Sequence, residues 1–112
     1  MFDFEKLIVY NKAKSFNKTV YAFLSVNNFD RTTNDQLRRA SFSIMLNIAE
    51  GTGRQTQPDK KRFYTMSRGS VFECVAIMDY LKDIEKLDQN EFDLFYAKLD
   101  ELSRMLYTLI KR

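Results

Sequence analysis

Histidine is absent from the 112 residues, and cysteine occurs once, at Cys74. Without histidine the commonest general base, the commonest metal ligand and every Ser-His-Asp or Cys-His scheme are gone. One cysteine allows neither an intrachain disulfide nor a thiolate zinc cluster. The reading is therefore no metal and no cofactor, in a reducing compartment, most simply the cytoplasm. Three glycines and one proline are too few for a turn-rich β fold or a disordered chain. No apolar run approaches the about 20 residues of a membrane span, so no membrane is expected as a partner. The opening "MFDFEKLIVY" carries charges within its apolar stretch and no cleavage site, so it does not read as a signal peptide. "GTG" at 51–53 lacks the lysine spacing of a phosphate-binding loop.

What is present suits one compact domain over residues 1–112, with 45% hydrophobic residues. Net charge is +3 but unevenly spread. Residues 31–69 hold eight Lys/Arg against three acids, whereas residues 70–112 hold six against nine. A basic middle of this kind points to an anionic partner.

Apolar periodicity predicts four helices joined by short links. The first runs from about Phe4 to Asn27, with Val9, Ala13, Phe16, Val20, Phe23 and Leu24 on one side. The second starts after Thr33, where "TNDQ" reads as a capping box between Thr33 and Gln36. It ends at Gly51, a residue suited to the left-handed position that closes a helix. The third opens at "TQPD", with Thr56 as cap, Pro58 in the first turn and Asp59 at the positive helix end. It runs past Gly69 to about Leu87, and Phe63, Ser67, Ser70, Cys74, Ile77, Met78, Leu81 and Ile84 share a face. The fourth opens at "DQNE", a second capping box from Asp88 to Glu91. Phe92, Phe95, Leu99, Leu102, Leu106, Leu109 and Ile110 make its stripe. Four amphipathic helices with short links argue for an all-α, antiparallel up-down-up-down four-helix bundle.

The second helix carries more apolar residues than one core needs. Leu37, Ala40, Ser41, Ile44 and Ile48 form its core stripe, while Phe42, Met45, Leu46 and Ala49 lie on other sides. A helix apolar nearly all round is buried nearly all round. The surplus calls for a second copy of the chain, with Phe42, Met45, Leu46 and Ala49 as the oligomer interface. Leu7, Ile8 and Phe72 also fall off their stripes.

Two polar sets interrupt these faces. Arg39, Ser43, Asn47 and Glu50 share a stripe of the second helix, and Arg68, Ser70 and Glu73 follow on the third. One reading is a catalytic carboxylate at Glu50 or Glu73, but neither a histidine nor metal-ligand spacing accompanies it. The other is a structural polar seam between helices or subunits, with arginine against carboxylate and the amide bridging backbone, which must be fully paired if buried. We read it as the seam.

Arg54, Lys60, Lys61 and Arg62 cluster around the link between the second and third helices, with Arg38 as a further candidate. Cations of this kind supply phosphate affinity, and an exposed Tyr64 would stack a base. This suggests weak, sequence-independent binding of RNA or DNA. The alternative is a protein-interaction scaffold that uses the acidic residues of 70–112 and the surplus apolar positions.

The stretch "RRASFSIMLNIAEGTGR", followed by "FYTMSRGSVFE", resembles the four-helix-bundle family of 23S rRNA-intervening sequence (S23-like) proteins. It also resembles the related accessory variability determinant of diversity-generating retroelements. The likeness lies in Arg38, Arg39, Ala40, Ser43, Ile44, the run Asn47 to Gly51, Arg54, Arg68 to Ser70 and Glu73. "FDFEKLIVYNKAKSFNKTVY" is similar to the family's first helix. The resemblance implies an antiparallel four-helix bundle and a homopentameric ring with a central channel. In the retroelement branch it also implies contact with nucleic acid and with a reverse transcriptase. Where the family usually carries proline after the Ser-Ile pair, this chain has Met45, which implies a straighter second helix.

Overall fold

The computed structural model describes residues 1–112 as a short 3-10 turn, Asp3–Lys6, and four α-helices. These are α1 (Ile8–Val26), α2 (Arg31–Thr52), α3 (Gln57–Asp83) and α4 (Gln89–Lys111). Each packs against the next, α4 returns to α1, and the backbones of diagonal pairs do not approach closely. The result is an antiparallel up-down-up-down bundle measuring 44 × 24 × 21 Å. No helix is long and apolar enough to cross a membrane.

Three helices are capped by side chains that accept a backbone N–H three residues on. Asp30 takes the Thr33 amide at 2.8 Å, Thr56 takes that of Asp59 at 3.2 Å, and Asp88 takes that of Glu91 at 2.8 Å. The first corrects the expected start of the second helix. Thr33 is not the cap; its own hydroxyl donates to Asp30 at 2.9 Å, and α2 begins at Arg31. A carboxylate is the stronger acceptor for an orphan amide. The first helix also starts later than expected, because Leu7 is extended and separates the 3-10 turn from α1.

The two helix ends after α2 and α3 invert the expected use of glycine. Gly51 does not close α2; it lies within the helix, which continues to Thr52. No glycine has positive φ. α3 ends at Asp83 rather than near Leu87, and the left-handed residue there is Glu85, with φ 62°. The Lys86 amide then donates to the Leu81 carbonyl at 2.8 Å and the Glu85 amide to that of Lys82 at 3.0 Å. This doubly bonded pattern satisfies the last carbonyls of a helix.

The core contains the expected stripes, including Phe16, Leu37, Ile44, Ile48, Met78, Leu81, Leu99, Leu102 and Leu106. Tyr10, Tyr64 and Val71 join it, whereas Ile84 is largely exposed. Residue size sets the spacing of the helices. Small side chains line the contact of α2 with α3: Gly51, Ser43, Ser67 and Ser70. The buried Ser67 hydroxyl donates to the Ile44 carbonyl at 2.7 Å. Large rings fill the contact of α1 with α4, where Phe95 packs edge-on against Phe16 and Phe23. Across α1 and α2, the Ser41 hydroxyl donates to the Asn17 side chain at 2.8 Å.

Candidate functional site

The seven residues of the expected seam separate into four places. Ser43, Asn47 and Ser70 do meet. The Asn47 amide donates to the Ser43 carbonyl at 3.0 Å and to its hydroxyl at 2.8 Å. The Ser70 hydroxyl lies 3.0 Å from the Ser43 hydroxyl. Arg39 and Glu73 line the shallow groove outside this knot, together with Gln36, and both are exposed. Arg68 faces the other way, toward α4. Its Nε donates to the Ser103 carbonyl at 3.2 Å, and its guanidinium sits over Phe72 at 5.0 Å and Tyr107 at 5.2 Å. The reason is geometric: Arg68 and Ser70 stand about 200° apart on a helix that turns about 100° per residue. They cannot face the same neighbour. Within the bundle no ion pair joins Arg39 or Arg68 to Glu50 or Glu73.

Glu50 is engaged locally, accepting from Arg54 at 2.8 Å one turn later. Glu73 has no cationic partner within ion-pair distance. Neither carboxylate is enclosed in a desolvated pocket of the kind general acid–base catalysis uses. Cys74, beside Glu73, is fully buried. Burial first, and the Glu73 charge second, push its thiol up to about 12. That thiol is not a nucleophile at neutral pH.

The cations of the α2–α3 link are together but largely occupied. Arg54 pairs with Glu50 and stands 3.9 Å from Asp59. Arg62 donates to Asp59 through Nε at 3.2 Å and NH2 at 3.0 Å. Lys60 Nζ donates to the Thr52 carbonyl at 2.9 Å, capping the end of α2. Lys61 alone makes no hydrogen bond or ion pair. Arg54 and Arg62 also cover the ring of the buried Phe63, at 4.3 and 4.6 Å. Tyr64 is not the exposed stacking residue that the sequence suggested. It is 7% exposed, turned inward against Gly51, and burial raises its pKa. Arg38 is not part of this cluster either. It lies fourteen residues before Thr52, the last residue of α2, about 21 Å along the axis from the helix end that leads to Arg54.

Arg38 belongs to a groove that the sequence reading missed. Between α1 and α2, Asn17, Val20, Tyr21, Arg38, Arg39, Ser41 and Phe42 enclose about 270 Å³. The Arg38 guanidinium lies 5.1 Å from the centre of the Tyr21 ring. The available signal was the absence of any Asp or Glu in Ile8–Val26, against Lys12, Lys14 and Lys18. A second groove, about 400 Å³ and mostly apolar, runs between α3 and α4 and includes Phe72, Val75, Phe92 and Tyr96, with Asp79 and Asp100 in its lining.

Of the expected interface residues, Phe42 and Leu46 are 48% and 44% exposed, one turn apart on the outer side of α2. Met45 and Ala49 are half-buried and pack against the core. Ile8 and Phe72 are exposed, while Leu7 packs inward.

The model of the 23S rRNA-intervening sequence protein family matches residues 5–108. The bundle is similar to the crystal structure of a protein of unknown function from the S23 ribosomal protein family of Bacteroides thetaiotaomicron. That match has a TM-score of 0.87 at 20% identity and covers 94% of this chain and 100% of the other. It speaks to the fold. No curated protein matches the chain.

Proposed function

The chain belongs to the 23S rRNA-intervening sequence protein family, and from that premise we propose a non-enzymatic, cytoplasmic homo-oligomer, a pentamer, that binds nucleic acid weakly and without sequence preference. The observation that carries self-association is the pair Phe42 and Leu46, large apolar side chains left half-exposed one turn apart. Continuous apolar surface of this kind marks an interaction site. A second copy supplies a matching face. Phe72 and Tyr96 are exposed along the mostly apolar groove between α3 and α4. A contact between two different faces is head-to-tail and closes into a ring when the rotation permits. The number five comes from the resemblance.

Nucleic-acid binding is supported by the cations that no acid engages: Lys14, Lys18, Arg38 and Arg39 form none of the ion pairs in the structure. A non-enzymatic role is supported by the setting of Glu50 and Glu73, one ion-paired at the surface and the other exposed. The second reading is a protein scaffold that binds no nucleic acid, such as an accessory subunit of a reverse transcriptase. The apolar α3–α4 groove favours it.

Sedimentation at micromolar concentration tests the assembly. The wild type should run as a discrete multiple of 13.3 kDa, and Phe42→Glu with Leu46→Glu should run as the monomer with its helical spectrum intact. A wild type found only as the monomer removes the proposal.

A further inference from the structure

We propose that the groove between α1 and α2 is the site for single-stranded nucleic acid, with Arg38 and Arg39 holding phosphates and Tyr21 stacking a base. The inference rests on the nucleic-acid reading above and gives it a place and a strand class.

Charge separates this groove from the α2–α3 link. At the link, Glu50 and Asp59 occupy Arg54 and Arg62, and a carbonyl occupies Lys60. A phosphate arriving there must first displace them. In the groove, Arg38 and Arg39 form no ion pair, and Glu73, which shares the neighbouring α2–α3 groove with Arg39, is beyond ion-pair distance. Asp35, the single acid between Arg31 and Ala49, faces Arg31 at 3.8 Å. α1, the opposite wall, has no acid at all. Lys14 and Lys18, one turn apart on α1, extend the positive surface away from Tyr21. Lys12 is on the far side, 3.2 Å from Glu101.

The chemistry of the lining favours one strand over two. Tyr21 is 60% exposed, and the Arg38 guanidinium lies over its ring at cation–π distance, 5.1 Å from the centre. Planar guanidinium and aromatic faces both stack unpaired bases, and a paired base has no free face to offer. A strand running along the furrow would meet cations from both walls and a stacking platform between them.

The test titrates a labelled oligothymidine strand and a duplex of equal length with the full chain across a range of salt. The single strand should bind more tightly. Arg38→Ala with Arg39→Ala should flatten the slope of log K against log salt by about 1.4, at about 0.7 per phosphate contact. Tyr21→Ala should weaken single-strand binding about tenfold with the slope unchanged, and Tyr21→Phe should bind like the wild type. Sedimentation of each variant alongside the wild type separates lost binding from lost assembly. If Lys60→Ala, Lys61→Ala and Arg62→Ala together abolish binding while the groove variants retain it, the groove is the wrong site and the nucleic-acid reading stands. Equal affinity for duplex and single strand, with Tyr21→Ala silent, also overturns the groove. A correctly assembled wild type that binds neither probe at low salt overturns both. If the arginine variants then lose assembly, the groove is a contact between copies.

Discussion

Gly51 and Tyr64 interlock. A β-carbon built on Gly51 would lie 2.6 Å from Tyr64 Cε1, 3.0 Å from its Cδ1 and 3.2 Å from the Phe63 β-carbon. Glycine is needed here for space, not for a left-handed turn. Gly51→Ala should therefore destabilise the bundle by about 1–3 kcal/mol, the usual cost of overpacking, despite alanine's better helix propensity. Thermal or urea unfolding measures it. Trimming the ring in Gly51→Ala/Tyr64→Ala should give a loss smaller than the two single losses added. Strict additivity would refute the interlock.

Gly69 is the opposite case. It is helical, and a β-carbon there meets nothing within 4 Å. Gly69→Ala should raise stability by about 0.5–1 kcal/mol through reduced backbone entropy of the unfolded chain. A lower unfolding midpoint would show that something packs on this face of α3.

Glu85 occupies the left-handed turn that closes α3. An L side chain there costs roughly 1–2 kcal/mol, which glycine avoids. Glu85→Gly should raise the unfolding midpoint, offset partly by the extra freedom of glycine in the unfolded chain. An unchanged or lower midpoint counts against the left-handed assignment.

Asp30 gives a pH dependence of defined sign. The Thr33 backbone N–H, then the Thr33 hydroxyl, hold its carboxyl below the usual 3.8. A depressed folded pKa contributes stability above the unfolded value, and that stability is lost as pH falls through the folded one. Asp30→Ala should thus melt below the wild type at neutral pH. The gap should narrow in acid below pH 3.8. A gap independent of pH would mean that the carboxylate charge does not matter to the cap.

Cys74 should resist thiol reagents until the bundle opens. Its raised pKa, about 12 against 9.0, leaves no folded thiolate at pH 8. Labelling should follow the unfolding rate, and denaturant should release it. The same shift works against stability in alkali, where the unfolded thiol ionises first. Stability should fall from about pH 9 toward about 12, and Cys74→Ala should reduce that slope. Rapid labelling of the folded chain would contradict the burial.

Helices and core stripes were legible because amphipathic periodicity is a local property. Thr56 and Asp88 were legible as caps for the same reason. Asp30 was not, because "DRTTN" holds several residues able to cap, and tertiary packing of the first turn chooses among them. Gly51 was misread because two reasons for a glycine, positive φ and close approach, look identical in sequence. The seam dispersed because "RGSVFE" reads as one motif along the chain but points around the helix. Ion pairing at the α2–α3 link was hidden for a related reason: Glu50 and Asp59 flank the basic run on two different helices. The Arg38–Tyr21 contact lies beyond local reading, since it joins residues 17 positions apart across a link.

Small residues bring the backbones of α2 and α3 close, whereas the rings of Phe16, Phe23 and Phe95 hold α1 and α4 apart. The cross-section is thus a tight spine with a wider sector rather than a regular square. Aromatic rings supply much buried area but few close backbone approaches and little hydrogen bonding between helices. Local opening follows the regions with the lowest density of such ties. α1 should therefore be the leaf of the bundle that opens most easily, with earlier amide hydrogen exchange in α1 than in α2 and α3 as the sign of it. Any strand or subunit that grips α1 and α2 together acts as a clasp on that leaf, so occupancy of the α1 side and rigidity of the whole bundle rise together.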